Sequence, residues 1–227
     1  KEIAPIAKGE KIYGKDVRRD DNGVHLFHYS YKIDVEEKLL NAIERINPKH
    51  VVHIGCGTAR RLVQLCRLHP ELEATEINMD PQFCKLAKQT VANANLSERI
   101  NIVTADARDW MKEKHPEVDL VLFIAGMFHD FHNVPGGSRP FLQAMSQSIS
   151  PHGYMLVEDQ NITGSAEPNF PLSVADGFEF LHTLMGARMF TRDEYVSVFQ
   201  NSGWDLESVF GNRLAKDWIY ILKNGKK

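Results

Sequence analysis

Val51-Val52-His53-Ile54-Gly55-Cys56-Gly57-Thr58 is the stretch that decides how this chain folds. A β-branched apolar run breaks into Gly-x-Gly. An amphipathic segment follows at once, Ala59 to Leu68, with Leu62, Val63 and Cys66 on one helical face. Strand, glycine turn and helix start form the opening βα unit of a nucleotide-type fold. Glycine serves the turn because a side chain would keep a cofactor from approaching the backbone. Gly-x-Gly also occurs in ordinary tight turns, so the weight falls on what surrounds it.

Upstream, Asp34 to Ile46 reads as a helix through Val35, Leu39, Ile43 and Ile46, stopped by Asn47-Pro48. Downstream, Leu72 to Ile77 reads as a second strand. Pro81 opens a helix whose Phe83, Leu86, Ala87, Thr90, Val91 and Ala94 share a face. Ile100 to Val103 makes a third strand. Leu120 to Ala125 makes a fourth, apolar throughout as in a parallel strand covered on both faces. Ser138 to Ile149 is helical, and Pro151-His152-Gly153 turns into a fifth strand, Tyr154 to Val157. A polar stretch, Asn161 to Ser173, interrupts the alternation before a helix from Val174 to Met185. Thr191-Arg192-Asp193-Glu194 is a capping box, its helix closed by Ser202-Gly203. Leu206 to Phe210 and Trp218 to Leu222 finish as an antiparallel pair. The whole is an α/β chain with a doubly wound, Rossmann-like, mostly parallel sheet.

The 227 residues, 43% hydrophobic, suffice for one well-cored domain, taken as residues 34–227 behind an N-terminal segment 1–33. That segment holds an aromatic and histidine cluster, His25 to Tyr31, suited to a lid or to packing against a preceding region. The chain starts at Lys1 rather than Met, as a fragment would. A net charge of -3 gives no footprint for nucleic acid or anionic membrane. No apolar run approaches the roughly 20 residues of a membrane span, and no signal-peptide pattern opens the chain. Cys56, Cys66 and Cys84 are odd in number and form no CxxC pair, which points to reduced thiols and a cytoplasmic home.

Two cofactor classes use such a sheet. Dinucleotide binding wants Gly-x-Gly-x-x-Gly, but the third glycine position is Arg60. The spacing instead resembles the class I S-adenosylmethionine-dependent methyltransferases, whose first motif is acidic-x-Gly-x-Gly-x-Gly/Ala; His53, Gly55, Gly57 and Ala59 fill those slots. The resemblance runs from about Leu39 to Leu222. It implies a cofactor site formed by Gly55, Cys56, Gly57, Asn78, Met79, Asp106, Ala107 and Ala125. Asn78 takes the ribose-binding slot and Asp106, within Thr104-Ala105-Asp106-Ala107, the adenine acceptor's. Ile149 to Tyr154 matches the turn before the fifth strand, and the terminal pair matches the hairpin that separates these enzymes from dehydrogenases. Both usual carboxylates are absent from their slots, being His53 and Asn78; Glu76 replaces the second only if the strand end shifts register.

Catalytic groups of open α/β sheets sit beyond the carboxyl ends of the strands. Strand four runs into Gly126-Met127-Phe128-His129-Asp130-Phe131-His132-Asn133, read as a loop facing the transferred methyl. It resembles the His-Asp-Trp segment of plant-type small-molecule O-methyltransferases, which makes His129 a general base. His129, Asp130 and the distant His182 also resemble the ligand set of the metal-dependent α-keto acid C-methyltransferases of the phenylpyruvate and 2-ketoarginine type. That likeness implies a divalent or ferric metal ion on these three residues, iron favoured and zinc possible. Its Lewis acidity would acidify the C–H beside the keto group of a chelated 2-oxo acid. His132 is a rival ligand, and Asp130 also suits capping a turn or orienting His129. On its apolar helix face, His182 also suits a core position.

The expected activity is therefore metal-assisted C-methylation of an α-keto acid at its β-carbon. The alternatives are a metal-free O-methyltransferase and a non-catalytic cofactor-binding scaffold. Partners are a small-molecule substrate and, by the family's habit, a second copy docked through an N-terminal region that has no counterpart here. Glu158, Asp159, Glu167 and Asp176 are the acids near enough in the chain to face a substrate side chain.

Overall fold

The computed structural model describes residues 3–12, 16–17, 33–55, 57–124, 128–134, 136–162, 179–180, 182–184, 186–212 and 217–225. Five parallel strands are laid down by βα units: β1 (His50–Ile54), β2 (Glu73–Asn78), β3 (Ile100–Thr104), β4 (Leu120–Phe123) and β5 (Tyr154–Ile162). Two-residue β6 (Phe190–Thr191) pairs with the far end of β5, and β7 (Trp204–Asn212) and β8 (Asp217–Asn224) form the terminal hairpin. The sheet order is β3-β2-β1-β4-β5-β8-β7, with β8 antiparallel to both neighbours. Chain order reverses between β1 and β4, the switch point at which open α/β sheets bind ligands.

The helices are α1 (Ile3–Ala7), α2 (Ile33–Ile46), α3 (Arg60–Leu68), α4 (Pro81–Asn93), α5 (Ala107–Trp110), α6 (Phe128–His132), α7 (Arg139–Ser148) and α8 (Arg192–Gln200). Residues 179–180 and 182–184 are also helical. Local chemistry fixes the ends. Asp80 caps α4 by accepting from Gln82 N at 2.8 Å with Pro81 in the first turn. Thr191 and Glu194 close both halves of the capping box of α8. Gly203, at φ +85°, turns the chain from α8 into β7.

Period-two alternation along the strands splits the core into two layers. Val51, Ala74, Leu122 and Leu156 face Leu39, Leu62 and Ala87 of α2, α3 and α4. Val52, Ile77, Phe123 and Val157 face Phe141, Met145 and Phe199 of α7 and α8. Among the described residues no helix is long and apolar enough to cross a membrane. Cys66 and Cys84 are buried free thiols. Cys56, Ala125, the His25–Tyr31 cluster, Glu167 and Asp176 lie outside the described residues.

Two expectations are corrected here. The His129 segment is the helix α6, not a loop: Phe128 is fully buried against Phe123, Tyr195 and Phe199, and that packing sustains a turn which propensity alone does not announce. The fifth strand does not stop at Val157 but runs to Ile162, because β8 pairs with its polar end as far as Gln160.

Candidate functional site

A cavity of about 520 Å³ opens at the carboxyl edge of β1, β2 and β3. Gly55, Asn78, Met79, Asp106 and Ala107 all line it, and Asp130 with Phe131 closes its far side. Five of the eight expected cofactor residues thus meet in one place. Gly57 is not among the lining residues, and Cys56 and Ala125 lie outside the described residues.

Each of these residues is placed by its neighbours. Gly55 follows β1 at φ +152°, a backbone that side chains disfavour. Gly57 is glycine for a different reason from the one expected. A β-carbon there would stand 2.6 Å from Glu76 Oε1 and 3.0 Å from His53 Cε1, so it is the protein's own interior that excludes a side chain. Asn78 ends β2 in register with the cavity. Its Oδ1 accepts from Asp80 N at 2.8 Å, and its buried Nδ2 has no partner among the described residues, a donor suited to a ribose hydroxyl. Glu76 does not shift into that role; it stays mid-strand opposite His53. Asp106 caps α5 through Arg108 N (2.8 Å) and holds the Arg108 guanidinium, Nη2 lying 2.5 Å from Oδ2. Those hydrogen bonds keep its carboxyl below the usual aspartate value, so it is an acceptor at neutral pH.

The chemistry-bearing group sits beside Asp130. His129, on α6 beyond β4, is 1% exposed. Its N–H donates to Asp159 Oδ2 at 2.8 Å and its Nδ1 lies 3.0 Å from Asp159 Oδ1. An ionised carboxylate only accepts, so Nδ1 carries the proton and the ring's lone pair is on Nε2. Nε2 lies 3.6 Å from Asp130 Oδ1, whose side chain is half exposed toward the cavity. The His182 ring stands edge-on to His129, centroids 4.6 Å apart. Asn133 joins the two histidines' segments: its amide donates to the carbonyls of His129 and Arg188 and accepts from Arg188 N at 3.0 Å.

Asp159, which the sequence offered only as an acid near enough to face a substrate side chain, is the buried partner of His129, a role that sequence reasoning missed. It is fully buried and receives four donors: His129 N, His129 Nδ1, Gln160 N at 2.8 Å and the Tyr195 hydroxyl at 3.0 Å. Burial and the Asp159 charge push the Tyr195 phenol well above its usual range, so it remains a donor. The available signal was alternation: Met155, Val157 and Asp159 continue one face of β5, whereas Glu158 falls on the other.

His132 is set apart from this group. Its Nδ1 faces Ser138 Oγ at 2.7 Å, its ring packs edge-on to Phe190, and burial lowers its pKa. Among the described residues no three His, Cys, Asp or Glu side chains are assembled as metal ligands. The donor chemistry at His129 nonetheless fits an ion. Two ligands bound at about 2.1 Å each span a separation near that between Nε2 and Asp130 Oδ1. The Asp159–His129 contact is the carboxylate–imidazole arrangement that orients a metal-binding histidine.

The sheet order and the reversed terminal hairpin give the fold that solved methyltransferase structures share. Residues 51–153 match the methyltransferase-domain family. Over 220 residues the chain is 27% identical to the methyltransferase ungE' of Aspergillus campestris, covering 88% of this chain and 61% of that protein. Over 191 residues it is 24% identical to an indolepyruvate C-methyltransferase of Streptomyces griseus, covering 83% and 56%. Among solved structures, the O-methyltransferase NcsB1 of neocarzinostatin biosynthesis, in complex with S-adenosylmethionine and 2-hydroxy-5-methyl naphthoic acid, shares the fold. The TM-score is 0.59 at 17% identity, covering 79% of this chain and 50% of that one. The chain therefore spans between half and about three-fifths of the length of these proteins.

Proposed function

We propose that the protein transfers a methyl group from S-adenosylmethionine to the β-carbon of a small α-keto acid. The observation that carries this reading is the buried His129, its tautomer fixed by Asp159, with Asp130 and His182 against it at the rim of the cavity. A general base needs one oriented imidazole and gives no reason for a second buried histidine in contact with it. The 24% identity to an indolepyruvate C-methyltransferase supports a 2-oxo acid as substrate.

In this reading Gly55, Asn78, Asp106 and Ala107 hold the cofactor, and Asp130 lies where cofactor and substrate meet. A divalent or ferric ion on His129, Asp130 and His182 would supply Lewis acidity to the keto oxygen and carboxylate of the substrate. Asp159 keeps the His129 proton on Nδ1, and Tyr195 holds Asp159 in place. In the transfer the β-carbon releases a proton that passes to solvent water, the electron pair of that C–H bond forms the new C–C bond, the C–S bond breaks and the sulfonium becomes a neutral thioether. The buried free thiols of Cys66 and Cys84 support a reducing, cytoplasmic setting.

A second reading, metal-free O-methylation with His129 as general base, is favoured by the lack of three assembled ligands among the described residues. The test is elemental analysis of protein purified without chelator, followed by assays on 2-oxo acids and on phenols, with products identified by NMR. Near-stoichiometric iron or zinc and a new C-methyl signal are expected. Metal-free protein that methylates only hydroxyl oxygens would replace the first reading with the second.

A further inference from the structure

His53 and Glu76 are register partners on β1 and β2, and His53 Nδ1 lies 2.8 Å from Glu76 Oε2. They follow Val51 and Ala74 onto the α3 side of the sheet, below the glycine turn. Glu76 is fully buried and His53 is 5% exposed. The remaining polar atom of each, Glu76 Oε1 and His53 Nε2, has no hydrogen-bond partner among the described residues. Both groups press on the turn, since each lies within 3.0 Å of where a Gly57 β-carbon would stand. Packing alone gives no reason to keep such a pair, because a buried carboxylate with an unpaired oxygen is costly and apolar residues would fill the space.

The helix beyond the turn supplies the reason. α3 starts with Arg60 and Arg61, has no acidic residue in its first turn, and its N-cap Ala59 makes no side-chain capping bond. Helix N-termini favour negative charge, and here the local sequence provides only positive. Glu76, reaching from the neighbouring strand, is the anion that this turn and helix start lack.

We propose that Glu76 and His53 form a buried positioning pair that shapes the glycine turn for S-adenosylmethionine, Glu76 supplying the charge and His53 holding the carboxylate against Gly57. The proposal rests on the reading of the cavity as a site for that cofactor. The test is calorimetric titration of the full chain with S-adenosylhomocysteine, alongside thermal melts. Glu76→Gln keeps the size and an acceptor for His53 but removes the charge, and should weaken binding at least tenfold in protein that stays folded at the assay temperature. The exchanged double variant His53→Glu with Glu76→His restores a pair of the same composition and should return affinity to within about threefold of wild type. In the wild-type chain, the His53 imidazole nitrogen resonances should move on saturation with S-adenosylhomocysteine, a readout that needs no variant to fold. Wild-type affinity in Glu76→Gln, or unmoved His53 resonances in saturated wild-type protein, would overturn the positioning role. Wild-type protein that binds neither S-adenosylmethionine nor S-adenosylhomocysteine would instead overturn the cofactor reading beneath it.

Discussion

Replacing Asp159 by asparagine keeps the shape of the buried hub and changes what it can accept. Two donors meet each carboxylate oxygen: His129 Nδ1 and Gln160 N at Oδ1, His129 N and the Tyr195 hydroxyl at Oδ2. Whichever position the amide NH2 takes, it opposes a backbone N–H that has no other rotamer to adopt. A buried donor left unpaired costs about 1–3 kcal/mol, and the surviving bonds fall from charge-assisted to neutral strength. A loss of about 2–4 kcal/mol follows, or about 5–15 °C in Tm for a chain of this size. With the NH2 at Oδ1, His129 must also surrender its Nδ1 proton to accept from it, and the proton moves to Nε2. The lone pair required by either proposed chemistry is then gone, and turnover should fall by about 10²-fold or more. Affinity for S-adenosylmethionine should stay within threefold, because Asp159 does not line the cavity around Gly55 and Asn78. The assays are a thermal melt, calorimetry with the cofactor, and 15N NMR of the histidine ring, which reports the tautomer directly. An Asp159→Asn protein with wild-type Tm and His129 still protonated on Nδ1 would refute the argument.

Other perturbations separate the remaining parts. His182→Ala should abolish metal retention and C-methylation while leaving S-adenosylhomocysteine binding within threefold; elemental analysis with turnover checks it, and metal-free turnover at the wild-type rate would remove His182 from the site. Gly57→Ala forces a methyl to within 2.6 Å of Glu76 Oε1 and should cost about 1–3 kcal/mol, read as a lowered Tm together with weaker cofactor binding. Thr191→Ala removes the hydroxyl half of the α8 capping box, leaving the residue-191 N–H on Glu194, and should cost about 1 kcal/mol by denaturant titration, with the m-value unchanged. Arg108 lowers the folded pKa of Asp106, so this contact is at full strength above the ordinary value of 3.8 and is lost as pH falls through the lowered folded value. The Tm of wild type should therefore exceed that of Asp106→Asn at neutral pH, and the two curves should converge only on the acid side of 3.8.

The sheet was legible because its information is local. The alternation of Val51 to Ile54, the uninterrupted apolar run from Leu120, and the cap signals at Asp80 and Thr191 each specify an element from neighbours a few residues away. The positions of Asn78 and Asp106 on the cavity were legible for the same reason, since they follow directly from the ends of β2 and β3. What could not be read is held by distant partners. Glu158-Asp159-Gln160-Asn161 looks like a strand end giving way to a loop, and beyond the neighbouring Gln160 N–H the donors to its buried carboxylate are distant in sequence. Its partners are His129, 30 positions before it, and Tyr195, 36 after it. Glu76 was weighed only as a replacement for the ribose-binding acid, and its pairing with His53 could not be read, since His53 lies 23 positions away and only the parallel register of β1 and β2 brings them together. A buried charge is thus the feature a sequence hides best. The residue type suggests surface, and the long-range donors that make burial tolerable exist only once the strands are in register. In this chain both hidden carboxylates stand one contact behind a residue that the motifs did reveal, Asp159 behind His129 and Glu76 behind Gly57. The motifs therefore mark the groups expected to face ligands, while the groups packed behind them follow only from the fold.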